Sequence, residues 1–252
     1  MAKDNPFDPT RHEEGTTPPG EKPHPSTRRP ALAASLILTR KRANGTVEVL
    51  FGRRSGGHVF MPRKYVFPGG RVDRADGYAP LASEPAEPVL DVLTRCMSER
   101  RARAAAAAAI RETAEETGLL IGETAPQMPL KAPWKPFEAA GLLPAAEPLN
   151  VVARAITPPG RARRFDAWFF RADEACVTVK ADPVNSGELE DIRWVALDEA
   201  HTVDLPIITR FVLAELAEHL KGRAPVRCAR VTPKGPRVDE IWPGAQDEGR
   251  AG

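Results

Sequence analysis

Three carboxylates crowd one short stretch of this 252-residue chain: Arg111-Glu112-Thr113-Ala114-Glu115-Glu116-Thr117-Gly118-Leu119. On a helix, at about 100° per residue, Glu112, Glu115 and Glu116 fall within about 100° of one another. They would share one face. Gly118 stands where a helix C-cap belongs, so that face lies at the negative pole of the helix dipole. Like charges three and four residues apart repel by about 0.2–0.5 kcal/mol per pair. The arrangement is unfavourable unless cations answer it. Hard divalent ions such as Mg²⁺ or Mn²⁺ take several oxygens of this kind. Taken alone, the triplet also reads as a solvated acidic face.

The elements that must carry these residues follow from pattern. Val89 to Thr117 holds neither Pro nor Gly and contains an unbroken alanine run, Ala104 to Ala109. It is predicted as helix, in one piece or two. Ala31 to Thr39 is almost continuously apolar, like a buried strand, and Asn44-Gly45 marks a hairpin turn. Val47, Val49 and Phe51 alternate with Glu48, Leu50 and Gly52, as in a half-buried strand. Tyr65-Val66-Phe67 runs into the turn Pro68-Gly69-Gly70. Residues 77–88 carry three prolines and read as loop. Residues 122–148 read as irregular with one short helix. Val151 to Ile156, Phe165 to Ala172 and Ile192 to Val195 read as strands, and Pro206 opens a helix to about Leu220.

Composition bounds the class. The 36 basic and 34 acidic residues leave a net charge of +2, too balanced for a nucleic-acid coat. Apolar residues make up 42% of the chain, enough for a real core. No apolar run reaches 18 residues and the first thirty residues hold no apolar stretch, so neither a membrane span nor a signal peptide is expected. Cys96, Cys176 and Cys228 lie far apart, which excludes a disulfide framework and a cysteine zinc site; a cytoplasmic location is expected. Residues 1–29 read as a loose Pro-rich arm, 30–222 as the folded domain, and 223–252 as a polar tail with room for one strand near Val226 to Val231.

The helix segment matches the second half of the Nudix box, G-x5-E-x7-R-E-U-x-E-E-x-G-U. Pro68-Gly69-Gly70-Arg71-Val72-Asp73-Arg74-Ala75-Asp76 matches the first half. The chain therefore resembles a Nudix hydrolase over roughly residues 31–222. Arg111 lies 41 residues after Gly70 where the pattern has 14, so 27 residues are inserted. Aligned by the glycine, the first glutamate of the box becomes Asp76, and the apolar position after Arg-Glu is Thr113. A long insertion here, with Ile156-Thr157-Pro158 and Arg163-Arg164-Phe165-Asp166, is similar to the peroxisomal coenzyme A diphosphatases of animals.

The resemblance implies an α+β fold, a Nudix-type α-β-α sandwich with a mixed sheet and an inserted helical segment at about residues 77–103. That segment is expected as an appendage outside the catalytic centre. The resemblance also implies a metal-dependent hydrolase of a nucleoside diphosphate linked to another moiety, with coenzyme A or an acyl derivative the best guess. Glu112, Glu115, Glu116 and the carbonyl of Gly69 would hold Mg²⁺ or Mn²⁺. Arg111 would orient a box acid. A loop acid, Glu188 in preference to Glu190, would join Glu115 and Glu116 in catalysis. Arg161, Arg163 and Arg164 would bind substrate, with Arg53, Arg54 and Arg63 as lesser candidates. A small nucleotide-type substrate is the expected partner, with no nucleic acid or membrane; a homodimer is an open alternative. An ADP-ribose or dinucleotide diphosphatase, and an inactive Nudix-like binding module, are the competing readings.

Overall fold

The computed structural model describes residues 29–55, 63–126, 128–159, 163–179, 187–222, 224–232 and 235–242. The expected N-terminal arm and Arg161 lie outside the described residues, Arg29 excepted. The first strand, β1 (Ala31–Lys41), returns through the Asn44-Gly45 turn into β2 (Val47–Arg54). Gly45 takes φ +87°, a conformation glycine adopts without strain. Both strands are covered on both faces, so β2 is not the half-buried strand that its alternation predicts. Glu48 is buried among the apolar residues because Arg40 and Arg42 both pair with it.

Among the described residues, nine strands form the main sheet. Its remaining members are β3 (Tyr65–Val66), β4 (Gly69–Arg71), β7 (Asn150–Ile156), β8 (Phe165–Asp173), β10 (Leu189–Ala196), β11 (Val226–Thr232) and β12 (Gly235–Trp242). The order is β10-β2-β1-β8-β7-β11-β12, with β3 on β2 and β4 on β1. β1 and β8 are parallel, as are β7 and β11, while the other pairs are antiparallel. The sheet is therefore mixed. A second sheet joins β6 (Leu142–Pro144), β5 (Leu120–Thr124) and β9 (Val177–Val179) in that order. The polar tail thus contributes two strands where one was expected.

Helices cover both faces. α1 (Glu87–Thr94) and α2 (Glu99–Thr117) lie on one face, α4 (Ile207–Lys221) on the other, and α3 (Lys135–Ala139) is the short helix of the irregular segment. Pro206 is the N-cap of α4. α2 is buried on every side through its alanine run. Side chains of one carbon let it lie close to the sheet, to α1 and to the segment before α1. Among the described residues no helix is long and apolar enough to cross a membrane.

The inserted segment buries its apolar residues on the domain itself. α2 already begins at Glu99, inside the expected insertion. Val89, Val92 and Leu93 of α1 are buried in the same core as Leu36, Ile110 and Trp168, and Leu90 and Met97 pack against it. The reason is elementary: an amphipathic helix of two turns cannot stand alone and must bury its apolar face. Leu93 is fully buried, so Leu93→Ala should cost about 2–5 kcal/mol in a urea titration. A loss below about 1 kcal/mol would contradict this burial.

Candidate functional site

The two halves of the motif meet in space. β4 pairs with β1, and this sets Gly69 opposite Ser35 and Gly70 opposite Ala34. The last turns of α2 lie against β4. The N–H of Gly69 donates to Oε2 of Glu116 at 2.8 Å. A Cβ on Gly70 would stand 2.5–2.6 Å from the carboxyl atoms of Glu112. The glycine pair is thus a space requirement. At Gly69 a Cβ would meet the Ser35 Cα at 2.5 Å and the Ala34 carbonyl at 2.6 Å, with φ at +155°. At Gly70 the missing side chain leaves room for a carboxylate.

Arg111 organises the acids. Its Nε and Nη2 donate to Oδ1 and Oδ2 of Asp76 at 2.8 and 3.0 Å. Nη1 donates to Glu112 at 2.8 Å and to Glu115 at 3.0 Å. Nη2 also reaches the carbonyl of Arg71. The fork of a guanidinium suits this work, since it offers five donors in one plane. Burial works against its charge, but the hydrogen bond to Asp76 and the charge of Glu112 more than offset this and raise it above the usual arginine range. Asp76 is itself buried, in a short 3-10 turn (Arg74–Tyr78), where it accepts from the Asp73 N–H at 2.8 Å. Aligning the motif by its glycine therefore gives the acid that meets the arginine.

The remaining departure, Thr113, is fully buried with its hydroxyl donating to the Ala109 carbonyl at 2.8 Å. A back-bond to the preceding turn satisfies the polar group in an apolar position. Gly118 caps α2 with φ +74°.

Burial raises the Glu112 carboxyl, against the opposing charge and hydrogen bond of Arg111. Burial pushes Glu116 up to about 8, helped by the charges of Glu112 and Glu188 and resisted by the Gly69 N–H and Arg54. Arg54, at the end of β2, feels Glu116, Glu188 and Glu112; burial lowers its guanidinium and these charges resist. Its place beside the carboxylates was given only a minor part by the sequence. The two charged groups belong to elements sixty residues apart, and local pattern carries no sign of the pairing.

Glu188 is exposed just before β10, and its carbonyl accepts from the Ser55 N–H at 3.2 Å. Its charge reaches Glu112 and Glu116. Glu190 turns instead to Arg53, 3.8 Å away. Trp194 is partly buried under Arg40, whose guanidinium lies 4.4 Å from the ring centre. Arg163 and Arg164 stand apart from the carboxylates. Phe165 pairs with Ala31 on β1, four residues from Ser35, which is roughly 13 Å along the strand. Arg163 is exposed there, while Nε of Arg164 donates to the Thr157 carbonyl at 3.2 Å and fastens the hairpin.

The donor set fits a hard divalent ion: three carboxylates on adjacent turns, one of them deeply buried against a peptide N–H. As they stand the carboxylates do not converge, and among the described residues no group of three or more His, Cys, Asp or Glu is arranged to hold an ion. Glu112 and Glu115 pair with Arg111, while Glu116 accepts from the Gly69 N–H.

Two expectations follow from this geometry. Gly70→Ala should fold, because only a side-chain end must move, yet displace Glu112 and cut activity at least about tenfold, equivalent to about 1.4 kcal/mol. Gly69→Ala should lower stability instead, since backbone is in the way; melting curves and turnover on both variants check this. Glu116 gives a pH signature with chelator present. Between pH 4.5 and about 8 its native carboxyl holds a proton that the unfolded chain has lost, so its contribution to stability falls as pH rises through that window. Glu116→Gln should match the parent near pH 4.5 and exceed it at pH 8.5, on the order of a few kcal/mol. Parallel pH profiles in urea titrations would contradict the burial effect.

The NUDIX domain family pattern matches residues 97–216, beginning after most of the inserted segment. No curated protein sequence matches the chain. A NUDIX hydrolase from Alicyclobacillus acidocaldarius is similar in structure, with 26% identity, a TM-score of 0.55, and coverage of 75% of this chain and 91% of that one. A C. elegans Ap4A hydrolase in a binary complex aligns at 18% identity and TM-score 0.42, covering 76% of this chain and 98% of that one. The NUDIX domain of Shewanella oneidensis NrtR, complexed with ADP ribose, aligns at 13% identity and TM-score 0.45, covering 77% and 90%. The match to the domain pattern and the first of these structures agree with the mixed sheet between helices. Residues 97–216 match the NUDIX domain pattern, and the chain has the fold of a Nudix hydrolase, which supports an enzyme acting on phosphoric anhydride bonds.

Proposed function

We propose that this protein is a divalent-metal-dependent diphosphatase that cleaves a nucleoside diphosphate linked to another moiety, with coenzyme A or an acyl derivative as substrate. The observation that carries the reading is the meeting of Gly69 and Gly70 with Glu116 and Glu112 across the insertion. A chain that had no use for the acids together would gain by separating them.

Water attacks a phosphorus of the diphosphate, a P–O bond to the bridging oxygen breaks, and the products from coenzyme A are 3′,5′-ADP and 4′-phosphopantetheine. Mg²⁺ or Mn²⁺, when bound, lowers the pKa of water and neutralises charge on the phosphate oxygens. Glu112, Glu115 and Glu116, with the Gly69 carbonyl, are the residues that would hold it. Arg111 orients Glu112 and Glu115, and the Gly69 N–H orients Glu116. Glu188 has an exposed carboxylate within charge reach of this cluster and is the candidate to accept the proton of the attacking water. Arg161, Arg163 and Arg164 are assigned to a phosphate remote from the scissile bond. The distance of the hairpin from Gly69 and the exposure of Arg163 support that assignment.

Turnover should need Mg²⁺ or Mn²⁺ and stop with chelator. Glu115→Gln or Glu116→Gln should fold and lose roughly a hundredfold or more in kcat, about 3 kcal/mol. Arg163→Ala should lower kcat/KM for coenzyme A about tenfold to a hundredfold, the worth of one charge-assisted contact, and spare dephospho-coenzyme A. Product identification by mass spectrometry checks all three. Full turnover in the glutamine variants would sink the metal assignment. Hydrolysis of ADP-ribose or a dinucleotide with none of coenzyme A would move the substrate to those compounds.

A further inference from the structure

The insertion turns a local relation into a long-range one. In the family pattern the acid and the arginine are eight residues apart; here Asp76 and Arg111 are 35 apart. The chance that a flexible loop closes falls as about the 3/2 power of its length, so this lengthening disfavours their meeting roughly ninefold. Something must hold the two chain segments in register besides the Asp76–Arg111 contact itself.

Arg103 is the residue in that position. It sits two turns before Arg111 on α2, about 12 Å up the axis and within about 80° of the same side. Its Nη2 donates to the Ala79 carbonyl at 2.8 Å and its Nη1 to the Gly77 carbonyl at 3.3 Å. Its Nε faces both oxygens of Glu84, at 3.0 and 2.7 Å. The segment it grips begins one residue after Asp76, and the Ala79 N–H in turn donates to the Asp76 carbonyl at 3.1 Å. One helix thus holds the turn at two points: Arg111 by the side chain of Asp76, Arg103 by the backbone that follows it. The grip is half-buried, and Glu84 balances the charge, so water competes weakly for the two carbonyls.

We propose that Arg103 is a positioning residue for the metal-holding end of α2. By docking Gly77 to Ala79 and Glu84 on the helix, it fixes Asp76, which fixes Arg111, which sets Glu112 and Glu115. The inference rests on the metal reading of the glutamates. It is specific in one respect: Arg103 touches none of the candidate metal ligands, yet it governs their affinity for an ion.

The test is Mn²⁺ binding by titration calorimetry on the full chain without substrate, with melting curves and Mn²⁺-dependent turnover alongside. Arg103→Ala should weaken Mn²⁺ binding about threefold to tenfold and raise the Mn²⁺ needed for half-maximal turnover by the same factor. Arg103→Lys keeps the charge for Glu84 but loses the fork for two carbonyls, and should fall between. Arg100→Ala, one turn earlier, removes contacts to the hydroxyl and ring of the exposed Tyr78 but none to the backbone that follows Asp76, and should leave Mn²⁺ affinity unchanged. A lowered melting temperature with unchanged Mn²⁺ affinity in Arg103→Ala overturns the proposal, because that is what a purely structural clamp does. If Arg103→Ala does not fold, Arg103→Lys decides by the same criterion. Absence of Mn²⁺ binding in the parent protein overturns the metal reading itself, and this inference with it.

Discussion

One guanidinium carries the charge balance of the whole site. Arg111 is held by Asp76 and holds Glu112 and Glu115, all on a helix end whose dipole already repels anions. Remove its charge and Asp76, Glu112 and Glu115 lose the partner they share. Desolvation of a carboxylate costs several kcal/mol when no partner answers it, so the region would protonate or swell. The surrounding structure is arranged so that this does not happen. β4 is short and glycine-rich because the carboxylates need its space, and α2 is alanine-rich because its axis must lie close to the sheet. The inserted segment returns to the helix because Asp76 must arrive there.

Close approach is the second theme, and it sets what can change. The alanines of α2 leave no room between helix, sheet and α1, so the helix has little freedom to slide or turn. Its last turn inherits that rigidity. Gly118 ends it sharply, and Thr113 and Thr117 fold their hydroxyls back onto carbonyls one turn earlier. The three glutamates therefore project from a fixed platform, and only their side-chain torsions remain free to adjust.

Much of this could be read in the chain. Three glutamates, an arginine and a glycine at helical spacing announce one acidic face and its cap. The Asn44-Gly45 turn and the apolar run before it announce the central hairpin. What local pattern could not supply was anything set by distant pairing. Arg54 and Glu188 meet the helix acids only through the sheet, and their neighbours in sequence are ordinary. Asp76 shows its part only in the fold, where Arg111 clasps it. Residues 77–88 read as loop and Val89 as the start of a helical stretch, and nothing there says which surface it buries. β12 lacks apolar alternation because it is a border strand, exposed along most of its length.

That border has a consequence for how the molecule meets copies of itself. A terminal strand offers unpaired backbone groups on which another chain could extend the sheet. Here the strand opens with Gly235-Pro236, and a proline donates nothing to a ladder. Arg237, Asp239 and Glu240 follow, with Asp239 tied to Arg230 at 2.6 Å and to Arg237. An incoming strand would have to strip water from these charges along the whole edge. The β12 border is in this way closed to growth, so that copies of the chain would not join through this edge of the sheet.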